Sequence, residues 1–103
     1  MTLREFQERI ERIYGARDAA RGRGGTFLWF VEEVGELAEA LRCGTDDQKR
    51  AEFADVLAWL VSLASIEGVD VERAVTAKYG DGCPACGESP CRCVDPTKAV
   101  EKR

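Results

Sequence analysis

Phe30-Val31-Glu32-Glu33-Val34-Gly35-Glu36-Leu37 and, a short turn later, Glu52-Phe53-Ala54-Asp55-Val56-Leu57 decide the fold of this chain. Each stretch sets two acids three residues apart inside an apolar helical pattern, so Glu33 shares a helix face with Glu36, and Glu52 with Asp55. Between them, Gly44 is expected to end the first helix in the left-handed conformation, and Thr45-Asp46-Asp47-Gln48 has the form of a capping box opening the second. So short a connection predicts an antiparallel helical hairpin. Folding one arm onto the other about Gly44 and Thr45 puts Glu36 level with Glu52 and Glu33 level with Asp55, given the shared rise of ~1.5 Å per residue. Four carboxylates then face one another near one height.

Like charges that close must take up protons or hold cations. Hard oxygen donors without nitrogen or sulfur favour magnesium or manganese. The plain alternative is a solvated acidic face. Against it, Val31, Val34, Leu37, Ala38 and Leu41 form an apolar stripe with Glu33 and Glu36 on its flank. Glu52 likewise sits among Phe53, Val56, Leu60 and Leu63, and an acid on the core side needs a partner. Basic residues in these helices, Arg42, Lys49 and Arg50, cluster near the turn.

A chain of 103 residues with 45% hydrophobic content is read as one small domain. A hairpin of two long helices with short flanking helices buries too little surface to stand alone, so a homo-oligomer is expected, dimer or tetramer. A net charge of −4 with mixed signs argues against a nucleic-acid polymer as partner. After Met1 no apolar leader follows, and the apolar run from Val56 to Ile66 is shorter than the ~20 residues a membrane span needs. The expectation is a soluble cytoplasmic protein. Five cysteines without an export signal then point to metal or free thiols before disulfides.

In chain order, Thr2 caps a first helix with Leu3, Phe6, Ile10 and Ile13 on its core face. Gly15 to Gly25 is read as a loop, with Arg17, Arg21 and Arg23 among glycines, and Thr26 starts the second helix. Such a basic loop meeting a helix N-terminus can contact phosphate, which makes Arg21 and Arg23 substrate-binding candidates. Trp29 lies four residues before Glu33 and Trp59 four after Asp55, so antiparallel packing puts both indoles on one axial side of the acids. Together they can frame a nucleobase pocket, or fill a core or subunit interface. Gly68 ends the third helix and Asp70 caps a short fourth reaching Lys78 and Tyr79.

Past Gly80, Cys83-Pro84-Ala85-Cys86 and Cys91-Arg92-Cys93 place four thiols in one short run, a ligand set for a tetrahedral structural Zn²⁺. Two disulfides or an iron–sulfur cluster are the other uses of such a run. Cys43 reads as an ordinary semi-buried thiol. The expected division is a helical domain over 1–79, a zinc-binding knuckle over 80–94 and a polar tail over 95–103.

Glu-Glu-x-x-Glu at 32–36 followed by Glu-x-x-Asp at 52–55 resembles the signature of the MazG-like, all-α nucleoside triphosphate pyrophosphohydrolases. The surrounding Trp-Phe-Val-Glu-Glu-Val-Gly-Glu-Leu-Ala-Glu-Ala-Leu-Arg is also similar to the family's wording, and the resemblance spans about Gly25 to Lys78. It implies an oligomeric enzyme, a four-helix bundle completed by oligomerisation, that uses magnesium to cut nucleoside triphosphates into monophosphate and pyrophosphate. By position, the resemblance makes Glu33, Glu36, Glu52 and Asp55 the Mg²⁺ ligands, and Glu32 a water-orienting candidate. Basic residues often stand at the far end of this fold, which makes Lys78 a phosphate-binding candidate; a lysine there also suits the helix dipole. The cysteine run is an addition to the family pattern.

The chemistry implied is attack of a metal-activated water on the α-phosphorus, with Glu32 or Glu36 taking the proton. Di-iron carboxylate bundles use Glu-x-x-His pairs, and the chain has no histidine. A helical interaction module with a zinc-bound tail is the non-catalytic alternative.

Overall fold

The computed structural model describes residues 1–94 and, among them, consists of three helices without a strand: α1 (Leu3–Cys43), α2 (Asp46–Ile66) and α3 (Val71–Tyr79). The chain forms two compact units, Met1–Val71 and the part from Glu72 onward. No helix among the described residues is long and apolar enough to cross a membrane.

Helix α1 opens on a capping box. Thr2 Oγ1 accepts from the Glu5 N–H at 3.1 Å, and Glu5 Oε1 accepts from the Thr2 N–H at 3.1 Å, which satisfies two donors that a helix start leaves bare. The helix then runs through the stretch from Gly15 to Gly25 that was expected to be a loop. Only Gly22 leaves helical geometry, at φ 81° and ψ 176°, and bends α1 into two arms. Alanine and arginine are strong helix formers, and a glycine costs only about 1 kcal/mol relative to alanine, so Ala16, Arg17, Ala19, Ala20 and Arg21 carry the helix to the kink. Thr26 therefore does not start a helix. It lies wholly buried inside one, where its hydroxyl accepts from Arg21 Nη1 at 3.4 Å.

Gly22 occupies a region of backbone space open essentially to glycine alone. A Cβ there would meet nothing within 4 Å, so substitution is penalised through the backbone and not by a clash. Gly22→Ala is expected to destabilise the protein by about 1–3 kcal/mol, read as a lower midpoint in thermal or denaturant unfolding.

The turn after α1 differs from expectation in one detail. Gly44 has φ −83° and ψ 163°, which is extended and not left-handed. Close approach explains the glycine: a Cβ at this position would fall 2.7 Å from the Ala40 carbonyl oxygen. Thr45 opens α2 as its spacing predicted, with the Gln48 N–H on its Oγ1 at 3.2 Å and its own N–H on Gln48 Oε1 at 2.8 Å. At the other end Gly68 takes φ 70°. The Gly68 N–H reaches Ser65 O at 3.1 Å and the Val69 N–H reaches Ala64 O at 2.8 Å, a Schellman closure. Gln7, buried in the first arm, clasps this closure: its amide donates to Ser65 Oγ and the Val69 carbonyl at 3.1 and 2.8 Å, and its oxygen accepts from the Val71 N–H at 3.0 Å.

The second arm of α1 pairs antiparallel with α2 in a single register. Arg23 meets Glu67, Trp29 meets Trp59, and Glu33 and Glu36 come together with Glu52. The seam is made by Thr26, Phe30, Glu33, Leu37 and Ala40 on α1 and by Lys49, Glu52, Val56, Trp59 and Leu63 on α2, all buried or half-buried. This corrects the expected inner stripe. Val31, Val34 and Leu41 are exposed, as are Phe27, Leu28, Phe53, Leu57 and Leu60. The arm carries two apolar stripes, and helical spacing alone does not say which turns inward. Acids therefore occupy the seam while large apolar side chains face out.

Candidate functional site

Heptad-like spacing brings Glu33 and Glu52 into the seam from opposite helices. Together with Glu36 they place one carboxylate oxygen each within 4.8 Å of one another. Glu33 and Glu52 are half-buried and Glu36 is exposed. Glu33 Oε2 and Glu52 Oε2 are buried with no hydrogen-bond partner. No lysine or arginine among the described residues forms an ion pair with any of these acids; bridges elsewhere include Arg4–Asp70, Arg21–Asp18, Arg23–Glu67 and Arg50–Asp47. Burial first, then the charges of Glu36, Asp55, Glu52 and Glu32, pushes the Glu33 carboxyl above its ordinary range. Burial, then Glu36 and Asp55, does the same to Glu52, against a smaller opposing pull from Glu33. Such a cluster holds excess protons or a hard cation, and its all-oxygen donor set suits Mg²⁺ or Mn²⁺. Asp55 is exposed and stands outside the group of three, though its charge acts on both buried members. Glu32 is exposed.

Two hollows border the acids. One, of about 390 Å³, is lined by Glu36, Glu39, Gln48 and Glu52 near the turn. The other, of about 480 Å³, runs from Asp55 and Trp59 to Tyr14, Asp18 and Arg21 on the first arm.

The indoles expected to frame a base instead meet each other. Trp29 and Trp59 stack with ring centroids 6.1 Å apart and planes 15° from parallel, within the range of directly touching aromatic rings. They present a wall and not a slot. The Arg21 guanidinium lies 4.8 Å from the centre of the Trp59 ring and donates to Asp18 Oδ1 at 2.9 Å. Arg23 is tied to Glu67 through both Nε and Nη2, the latter at 2.9 Å. Lys78 is exposed on α3, its ammonium 5.7 Å from the centre of the Tyr79 ring. Sequence reasoning missed Asp18 and Gln7. An acid three residues before Arg21 was the available signal for the first; nothing local marked the second.

In the second unit, Cys83, Cys86, Cys91 and Cys93 bring their sulfurs within 4.8 Å of one another. Cys83 and Cys93 are 3.8 Å apart and Cys86 and Cys91 4.0 Å, far beyond a disulfide of ~2.05 Å. Gly82 and Gly87 take φ 108° and 75° and allow the loop to close, with the Gly87 N–H on Cys83 O at 2.7 Å and the Cys83 N–H on Glu88 O at 3.0 Å. Backbone amides point at sulfur: Arg92 N–H at Cys86 and Cys93 N–H at Cys91, each at 3.4 Å. The amides of Cys86 and Ala85 draw the Cys83 thiol down to about 6, while the neighbouring Cys91 thiol and burial hold Cys93 up to about 12. The cluster is a four-thiol cage fit for one metal ion.

An all-helical hairpin with an unneutralised acid cluster at its seam is a framework able to hold a hard divalent cation. A model of the MazG nucleotide pyrophosphohydrolase domain matches residues 24–87. The chain belongs to this family and is a nucleotide pyrophosphohydrolase. A dATP/dGTP diphosphohydrolase of Cyanophage S-2L is 36% identical over 77 residues, covering 75% of this chain and 70% of the phage protein.

Proposed function

We propose that the protein hydrolyses nucleoside triphosphates to the monophosphate and pyrophosphate, with Mg²⁺ or Mn²⁺ held by Glu33, Glu36, Glu52 and Asp55. The observation that carries this reading is the pair of buried, partnerless oxygens on Glu33 and Glu52, since an uncompensated buried carboxylate needs a cation or a proton. When bound, the divalent ion supplies charge to the phosphate oxygens and acidifies water. The chain's own part is to fix the acids across two helices, so that the triphosphate is oriented without rearrangement. One of the exposed acids of the motif, Glu32 or Glu36, accepts the proton of the water attacking the α-phosphorus.

Arg23 is proposed to meet phosphate oxygens by exchanging Glu67 for the substrate. Trp29 and Trp59 form the apolar wall near the sugar and base. The four cysteines hold a structural Zn²⁺; a regular tetrahedron with Zn–S near 2.3 Å has edges of about 3.8 Å, close to the sulfur separations of 3.8 and 4.0 Å. A homo-oligomer is supported by the outward stripes, in which Leu28 is 70% and Phe53 57% exposed. Burying those stripes against a second copy gives a four-helix bundle with the acids inside.

The phage relative's named substrates, dATP and dGTP, direct the assay toward purine deoxynucleotides. Pyrophosphate release from a panel of ribo- and deoxyribonucleoside triphosphates, with and without Mg²⁺, is the test. Metal-dependent release with at least one of them is expected. None at saturating Mg²⁺ would sink the reading and leave a helical interaction module in its place.

A further inference from the structure

The hollow between the first arm and α2 holds polar groups that hydrolysis at the carboxylates does not employ. It measures about 480 Å³ and sets Tyr14, Asp18, Arg21, Asp55, Trp59 and Ser62 among apolar neighbours, a size and makeup usual for small-molecule sites. Asp18 and Ser62 are each only 5% exposed. Asp18 Oδ1 accepts from Arg21, and among the described residues no hydrogen bond reaches Asp18 Oδ2. Arg21 engages Asp18 and Thr26 through Nη1, and among the described residues its Nε and Nη2 hydrogens have no acceptor. Neither Asp18 Oδ2 nor the remaining Arg21 nitrogens are sealed, partnerless atoms, so they are open to solvent and to a ligand entering the cleft, which can exchange water for both.

We propose that this cleft takes the nucleobase and that Asp18 and Arg21 read its edge, selecting guanine. The inference rests on the hydrolase reading of the neighbouring acids. Trp59 and Ser62 follow Asp55 by one and two helical turns, about 6 and 10 Å along the axis. That interval spans a pentose, with phosphates at the carboxylates and the base beyond. Tyr14 and Trp59 supply the ring surface on which a base rests. At the polar end, adjacent donors and an acceptor match guanine, whose carbonyl accepts from arginine while its ring N–H and amino group donate to a carboxylate. Adenine carries an amino group where guanine has the carbonyl and turns donor against donor at Arg21. Thymine has no amino group to offer Asp18.

The experiment compares kcat/KM for dGTP, dATP, dCTP and dTTP in the wild type, Asp18→Asn and Arg21→Gln. The wild type is expected to prefer dGTP, and each substitution to lower the dGTP-to-dTTP ratio at least ~10-fold, mainly through KM, because a site built to pair a polar edge loses discrimination when a partner is removed. Arg21 is less buried than Asp18 and serves if the Asn variant does not fold. Tryptophan fluorescence titrations with dGMP and dTMP measure the same preference without turnover. Equal loss on all four substrates, an unchanged ratio, or no dGMP binding because a second subunit fills the cleft would each overturn the assignment. Preferential dGMP binding without cleavage of any triphosphate would instead refute the hydrolase and leave the base site standing.

Discussion

Glu52→Gln is expected to abolish pyrophosphate release, by at least ~10³-fold, and at the same time to make the metal-free protein more stable. Both effects come from one cause. Glu52 meets Glu33 and Glu36 in the helix seam with an oxygen that has no partner, so in the absence of a cation its charge opposes packing. Removing that charge relieves the repulsion and removes a ligand together. Thermal unfolding in EDTA and in Mg²⁺ separates the two: wild type gains stability from Mg²⁺, whereas the variant starts higher and gains little. A variant that loses activity yet keeps the full Mg²⁺ gain would show that the ion binds elsewhere.

The pH dependence has a defined sign. The carboxyls of Glu33 and Glu52 are raised in the folded chain above their ordinary value of 4.5. Each therefore contributes stability that is complete below the unfolded value and is lost as pH rises through the folded one. Metal-free protein should weaken as pH climbs above that ordinary value, less steeply in Glu52→Gln. The Mg²⁺ gain should grow over the same interval, as protons leave the ligands.

The second large effect belongs to the cysteines. One Zn²⁺ per chain is expected, with Co²⁺ substitution giving thiolate charge-transfer absorption, and Cys83→Ser or Cys86→Ser removing the metal. Structural zinc in small thiol sites contributes about 10–16 kcal/mol of apparent binding free energy, so stripping it should unfold the knuckle outright. Near-random amide exchange over residues 80–94 after chelation is the measurement. Protection unchanged after complete metal removal would mean that the glycine turns and backbone hydrogen bonds suffice.

The hairpin was legible in sequence because its signals are local. The Thr45 box, Gly68 and the Glu33/Glu36 and Glu52/Asp55 spacings each declare themselves within four residues, and caps and helical period follow from such short stretches. The orientation of the apolar stripes was not. Val31, Val34 and Leu41 are as apolar as Phe30, Leu37 and Ala40, and only the second helix decides which set faces it. The Gly15 to Gly25 region misled for a related reason: glycine content signals a break, but one residue, Gly22, supplies the whole of it. Asp18 could be placed in one cleft with Trp59 only once that bend laid the first arm beside α2.

Among the described residues only Ile10, Ala40 and Val61 are buried apolar side chains. A fold with so slender an interior is expected to draw persistence from a cation in the acid seam and from a second copy over the outer stripes. An ion at one hundred times its dissociation constant adds about 2.7 kcal/mol, a large share of the margin of a chain this size. Divalent supply and subunit dilution would then govern how long the molecule survives a protease, before they ever touch its turnover.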